Sequence, residues 1–329
     1  NSVGATTAVL VDAVAPTVTS VTVPANATYI AGQNLDFTVN FSENVTVVTT
    51  GGTPQIAITI GSTVRQAAYV SGSGSSALLF RYTVQTGEAD NDGIAVGALA
   101  ANGGTLRDAI GNDAVLTLNG VGVTTAVLVD AVAPTVTSVT VPTNATYIAG
   151  QNLDFTVNFS ENVTVVTTGG TPQLAVTIGS TVRQAVYVSG SGSSALLFRY
   201  TVQSGELDTD GIAVGTLAAN GGTLRDAASN NANLTLNSVG ATTAVLVDAV
   251  APTVVSFTRK TPNAERTNAD QVTFLATFSE DVQNVGIADF ASTWPTGAVI
   301  SVTQVTASTY DVQISGGDLA ALNGTVGLN

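Results

Sequence analysis

The chain repeats itself with a period of 118 residues. The run Asp12-Ala-Val-Ala-Pro16-Thr-Val-Thr-Ser returns as Asp130-Ala-Val-Ala-Pro134-Thr-Val-Thr-Ser, and in diverged form from Asp248 through Pro252. Between the first two copies almost every residue matches, including Tyr29 and Tyr147, Glu43 and Glu161, Arg65 and Arg183, and Arg107 and Arg225. A repeat of this size is a whole domain rather than a solenoid unit. Such copies suit a spacer or a multivalent binder, where module number itself is useful. An enzyme gains little from standing next to itself.

The period divides the chain into repeat 1 at 12–129, repeat 2 at 130–247 and a partial, diverged repeat 3 at 248–329. Residues 1–11 (NSVGATTAVLV) are identical to 237–247, so they read as the last strand of a preceding module. With a third unit that stops short of a full period and no Met anywhere, this describes a piece of a longer polypeptide.

Several functions are excluded by what the chain lacks. There is no Cys, hence no disulfide framework and no thiolate metal site, and no His, the commonest general base and zinc ligand. A net charge of −14 with only nine basic residues repels nucleic acid and anionic membrane surfaces. No apolar run reaches the roughly 18–20 residues of a membrane span. Without His there is no Ser–His pair for the SGSGSS loop. Pairing Asp90 with Asp92 as a glycosidase acid and base lacks the aromatic cleft a sugar needs, since Trp294 is the single Trp. The sequence reads as non-catalytic.

Period-two alternation dominates and marks half-buried strands. Leu35, Phe37, Val39 and Phe41 share one face, as do Ile56, Ile58 and Ile60, and Leu78, Phe80, Tyr82 and Val84. Further strands are expected at 17–23, 64–70, 94–99, 104–107, 114–118 and 124–129. Gly- and Asn-rich turns separate them, among them Gly51-Gly52-Thr53-Pro54 and Asp90-Asn-Asp-Gly93. This predicts an all-β chain of tandem immunoglobulin-like antiparallel β-sandwiches arranged end to end, with a small barrel as the competing architecture. The last strand runs almost directly into the next module, and Pro16, Pro134 and Pro252 stiffen the joints. Outward Thr19, Thr22, Thr38, Asn40 and Ser42 read as a solubilising hydroxyl face, with a flat glycan- or ice-binding surface as the other reading. Arg65, Arg81 and Arg107 are expected to pair with carboxylates on the solvent face.

The acidic residues gather at the ends of the sandwich. Under immunoglobulin topology, Glu43 in FSENV and Asp108 in LRDAIGND meet the linker residue Asp12 at one pole. Asp90 and Asp92 lie at the other, beside Asp130. One junction then collects Asp90, Asp92, Asp130, Glu161 and Asp226. The next gathers Asp208, Asp210, Asp248 and Glu280. Carboxylates crowded in this way supply the hard oxygen ligands, roughly six to eight, that Ca²⁺ takes. They repel one another unless a cation neutralises them. Asp and Asn in turns also cap main-chain groups without any metal, and both readings stand at this point.

The frame DAVAPTVTSVTVP, TYIAGQNLDFTVNFSENVTV, AAYVSGSGSSALLFRYTVQ and DNDGIAVGALAANGGTLRDAIGND resembles the Ig-like tandem repeats of large bacterial surface and secreted adhesins. That group includes RTX-type adhesins and the cyanobacterial swimming-motility protein repeat. The resemblance spans 12–247, and repeat 3 carries the variant VTFLATFSEDV. It implies an extracellular stalk, secreted or on a bacterial cell surface, that holds a distal binding region away from an anchored end or supports biofilm adhesion. Its partners are then neighbouring modules of the same polypeptide, with Ca²⁺ at the joints. The alternative is a self-assembling subunit of a surface layer, sheath or fibre, bound to copies of itself by strand exchange.

Overall fold

In a computed structural model, which describes residues 11–293, 298–316, 319 and 322–329, the chain is built almost entirely of strands. The strand expected at 1–11 and Trp294 fall outside these residues, Val11 excepted. Repeat 1 contributes β1 (Val18–Thr22), β2 (Ala27–Tyr29), β3 (Asn34–Val48), β4 (Gln55–Ile60), β5 (Thr63–Ser71), β6 (Ser75–Thr83), β7 (Ala89–Asp90), β8 (Ala95–Ala100), β9 (Thr105–Arg107) and β10 (Val127–Asp130). One sheet runs β1-β3-β6-β5-β4-β8, with β9 on the far part of β3, and a three-stranded sheet runs β2-β10-β7. Among these strands the ladders are antiparallel except between β2 and β10. These are tandem immunoglobulin-like antiparallel β-sandwiches.

The alternating positions named from sequence form the core. Leu35, Phe37, Val39, Ile56, Ile58, Leu78 and Phe80 are fully buried, and Tyr82 packs against them from the side. Tyr69 meets Phe80 edge to face at 5.8 Å. On the outer face the hydroxyl row bonds to itself: the Asn40 side-chain amide donates to Ser20 Oγ at 3.1 Å, and Thr19 Oγ1 donates to the Asn40 carbonyl at 3.1 Å. These contacts tie β1 to β3 at the edge of the sheet.

Two expectations are corrected. Residues 114–118 alternate in burial, with Ala114, Leu116 and Leu118 packed on the core. They form no strand, because Thr17–Val115 and Arg107–Asp113 are isolated bridges rather than a ladder. And β3 does not end at Glu43, the pole position expected from FSENV. It continues to Val48 through a register shift between Asn40, opposite Ala77, and Val45, opposite Ser75. The extra residues bulge at Phe41–Asn44, a device that bends a strand and re-aims its side chains.

The β3–β4 turn presses directly on the β8–β9 turn. A Cβ on Gly52, whose φ is +152°, would sit 1.8 Å from the Asn102 carbonyl oxygen. Only glycine permits that approach. The Asn102 side-chain amide donates to Thr53 O at 3.1 Å across the same contact.

Repeat 2 supplies β11 (Val136–Thr140), β12 (Ala145–Tyr147), β13 (Asn152–Val166), β14 (Gln173–Ile178), β15 (Thr181–Ser189), β16 (Ser193–Thr201), β17 (Leu207–Asp208), β18 (Ala213–Ala218), β19 (Thr223–Arg225) and β20 (Val245–Asp248). Its large sheet keeps the same order, β11-β13-β16-β15-β14-β18, with β19 on β13. One compact unit comprises Asn1–Thr146, Gln151–Thr201 and Asp210–Leu246, and a second comprises Tyr147–Gly150, Val202–Thr209 and Val247–Asn329. The second unit carries β21 (Val254–Thr261), β22 (Gln271–Phe278), β23 (Ala298–Thr306) and β24 (Thr309–Ser315), ordered β21-β22-β24-β23. Phe274, Ala276, Val312 and Ile314 form its core, and Phe278 packs edge to face on Tyr310 at 6.0 Å.

Truncating Phe80 to Ala should cost about 3–5 kcal/mol, the usual range for a fully buried ring. Because only repeat 1 is affected, urea unfolding of the full chain should gain an earlier step at lower denaturant.

Candidate functional site: an acidic pole on each repeat

Each repeat begins with a linker fastened to a serine, which lies in the bulge of β3 and β13 and just past the end of β22. Thr17 N–H donates to Ser42 Oγ at 3.0 Å and Ser42 N–H returns the bond to Thr17 O at 2.8 Å. Thr135 and Ser160 repeat the exchange at 3.0 and 2.8 Å, and Thr253 and Ser279 at 2.9 and 2.8 Å. Glu43, Glu161 and Glu280 each follow that serine. The latch therefore fixes a carboxylate next to a linker that starts with Asp.

In repeat 1, Asp12, Glu43 and Asp108 bring carboxylate oxygens within 4.8 Å of one another. Asp108 is buried, and its position is set by its own loop. One oxygen accepts the N–H groups of Ile110, Gly111 and Asn112 at 2.7–2.9 Å, and the other accepts the Asn112 amide at 2.6 Å. Burial pulls its pKa up, but the Asn112 amide and the three main-chain donors outweigh that and hold it below the usual carboxylate range. Asn112 also donates to the Asp12 carbonyl at 3.3 Å, tying loop to linker.

In repeat 2 the same loop is held by Asp226, which accepts Asn230 N–H and its side-chain amide, both at 2.8 Å. That amide also reaches the Asp130 carbonyl at 2.9 Å. Ser229, at the position of Gly111, keeps a left-handed φ of +83°. A non-glycine residue there costs roughly 1–2 kcal/mol, so the loop's hydrogen bonds dictate the turn. Glu161 is pushed above the ordinary carboxylate range, first by burial and then by the charges of Asp226 and Asp130. Like charges are thus crowded at this pole as well.

Asp130 faces the preceding module too. A cleft of about 530 Å³ is lined by Asp90, Asn91, Asp130, Ser160 and Glu161, among others. Asp90 lies in it by position, yet its carboxylate accepts Gly61 N–H at 2.7 Å and Gly93 N–H at 2.8 Å, as a turn-capping Asp does. Asp92 is exposed and does not line the cleft. Asp208, Asp248 and Glu280 belong to the second compact unit and Asp210 to the first. Asp208 is buried, while Asp248 accepts Val250 N–H at 3.3 Å.

Sequence reasoning missed Glu88. It is buried and accepts Arg65 Nε at 2.5 Å, Tyr82 OH at 2.6 Å and Gln85 N–H at 2.8 Å. Burial, then this hydrogen bond and the Glu88 charge, push the Tyr82 phenol up to about 12. Arg65 thus pairs with a carboxylate as expected and stays half-exposed, but the carboxylate it reaches is buried. Arg81 does lie on the outer face, bidentate to Asp36 at 2.6 and 2.7 Å, and Arg107 pairs with exposed Asp113 at 2.6 Å.

Among the described residues no helix is long and apolar enough to cross a membrane. The sequence matches no known family model and no curated protein. Among solved structures it is similar to the plexin A4 full extracellular region, domains 1 to 10, at 11% identity and a TM-score of 0.22. That alignment covers 94% of this chain and 21% of the plexin chain, so this chain spans about a fifth of its length, and a likeness at that TM-score supports no functional argument.

The crowding has a measurable sign. Folded Glu161 holds its proton more tightly than the unfolded chain does, so its contribution favours folding at low pH and is lost as pH rises through the folded value. In excess chelator, Glu161→Gln should therefore melt above the parent at pH 7. The gap should close below pH ~4, where a free Glu is itself largely protonated. A variant that melts below the parent at pH 7 would show that burial and the neighbouring charges do not disfavour the Glu161 carboxylate.

Proposed function

We propose that the chain is a non-catalytic extender, part of the stalk of a large bacterial cell-surface or secreted adhesin, with joints stiffened by Ca²⁺. The observation that carries this reading is a joint with few free main-chain groups. Ala131 exchanges hydrogen bonds with Gly87 and Glu88 of repeat 1, both at 2.8 Å, the Asp130 carbonyl is taken by Asn230, and Thr135 is latched to Ser160. A linker fastened on both sides within six residues favours a stiff column over a flexible string. A column of near-identical modules, each adding ~40 Å for strands of about ten residues, suits projection of a distal binding region.

The donor set fits a hard divalent cation. Asp12, Glu43 and Asp108, whose carboxylate oxygens gather within 4.8 Å, would hold it in repeat 1; Asp130, Glu161 and Asp226 are their counterparts in repeat 2, where the two Asp charges act on Glu161. A bound cation would supply positive charge where three carboxylates converge, and the linker would then be fixed by coordination as well as by hydrogen bonds.

Small-angle scattering and melting in Ca²⁺ and in excess chelator test both parts. The expected result is a monomer at high concentration, elongated in both conditions, that stiffens and melts higher in Ca²⁺. Glu161→Gln should lose part of the Ca²⁺-dependent gain. An unchanged melt and profile would remove the metal, and concentration-dependent assembly would favour a lattice or fibre subunit instead.

A further inference from the structure

The first and last segments of repeat 1 lie side by side and run in the same direction. β10 pairs with β2 in parallel, with Val127 opposite Ala27, Leu128 opposite Thr28 and Val129 opposite Tyr29. Ala27 N–H donates to the Ala126 carbonyl at 3.1 Å. Nearer the N-terminus, Thr17 bridges Val115 and Val21 bridges Val121, again in parallel. Those bridges rest on Val115 N–H to Pro16 O at 2.8 Å, Val21 N–H to Gly120 O at 3.1 Å and Gly122 N–H to Val21 O at 3.0 Å. One seam therefore joins the segment from Pro16 to Tyr29 with the segment from Val115 to Val129.

Direction decides how such a seam carries load. In parallel neighbours, the entering end of one segment and the leaving end of the other lie at opposite ends of the pair. A pull that enters before Pro16 and leaves after Asp130 drags the two segments past each other along their axes. The bonds of the seam then share the load and fail together. A hairpin pulled apart from its open end loses them one at a time. β2 has β10 as its ladder partner and sits at the edge of its sheet, so its hold on the fold is this seam.

We infer that the parallel seam is a mechanical clamp, the device by which each repeat resists being drawn out along the chain. Repeat 2 carries the corresponding bridges, Thr135 to Asn233 and Val139 to Val239, with Asn233 N–H to Pro134 O at 2.8 Å and Gly240 N–H to Val139 O at 3.0 Å. The inference deepens the extender reading and is separable from it. The force that opens a module is a property of the fold, and solution shape is measured without force.

The test stretches the full chain by its ends in an optical trap or force microscope. Each full repeat should open in a single step, releasing on the order of 350–400 Å at roughly 3.3–3.6 Å per residue. The dependence on loading rate should give a short distance to the transition state, on the scale of one hydrogen bond. Ala27→Pro deletes the N–H that reaches Ala126, and because β2 is an edge strand no ladder to a third strand is lost with it. It should lower the opening force of one repeat by half or more while the melting temperature changes little, with repeat 2 as the internal reference. Leu106→Ala, a core truncation in β9 off the seam, should lower the melting temperature and leave the opening force nearly unchanged. Equal force loss in the two variants, or an unchanged force in Ala27→Pro, would overturn the clamp. So would wild-type repeats that open gradually with a long distance to the transition state, a readout that does not require either variant to fold.

Discussion

The architecture depends on how the stretch from Asp130 to Thr135 satisfies its main-chain hydrogen bonds. A linker of this length normally leaves such groups to water and stays mobile. Here Ala131 is paired backward with the Gly87–Glu88 turn, while Asp130 and Thr135 are paired forward with Asn230 and Ser160. Pro134 has no N–H to satisfy and fixes its φ. The joint is thereby part of both modules. The same latch recurs at Thr17–Ser42 and Thr253–Ser279, so it belongs to the repeated frame and persists in the diverged third copy.

The latch also creates the electrostatic tension at the poles. It places a glutamate at the β3 bulge beside the linker Asp, and the loop after β9 brings a buried Asp to the same place. Asp108 tolerates its position because main-chain donors stabilise its charge. Among the described residues Glu161 lacks such donors, and burial first and the charges of Asp226 and Asp130 second disfavour its carboxylate. In repeat 1, Arg81, Arg65 and Arg107 are engaged elsewhere, with Asp36, Glu88 and Asp113.

Much of this was legible in the sequence where burial follows strict alternation. Leu35 to Phe41, Ile56 to Ile60 and Leu78 to Val84 were readable because a period of two leaves one face to hide. The far part of β3 was not, because Ser42-Glu43-Asn44 interrupts the alternation at the bulge that allows the strand to continue. β2 and β7, at three and two residues, are too short to carry a period, although β2 makes the parallel contact that closes the repeat. The convergence of Asp12, Glu43 and Asp108 followed from topology alone. The orientation of Asp90 toward Gly61 and Gly93 did not, since a turn Asp and a ligand Asp look alike in sequence. Glu88 was hidden for the opposite reason: a Glu beside a Gly in a turn reads as solvent-facing until Arg65 and Tyr82 are seen to close over it.

The differences between the first two copies show which contacts the module needs. β1, β2 and β10 have identical sequences to their counterparts β11, β12 and β20, and so do the latch residues. The changes concentrate in 110–123 against 228–241, where Ile110, Gly111 and Asp113 become Ala228, Ser229 and Asn231. Asp113→Asn exchanges an ion pair with Arg107 for a neutral hydrogen bond, Arg225 Nε to Asn231 Oδ1 at 2.7 Å, with the geometry kept. Val115, which bridges Thr17, becomes Asn233, yet the bridge to Thr135 survives because it is made by main-chain atoms. Side chains along the outer seam are thus free to drift, while the main-chain registration of first segment against last is not. If the seam is the clamp, its parallel main-chain hydrogen bonds carry the tension and the side chains above them are free to change, which matches this pattern of tolerance.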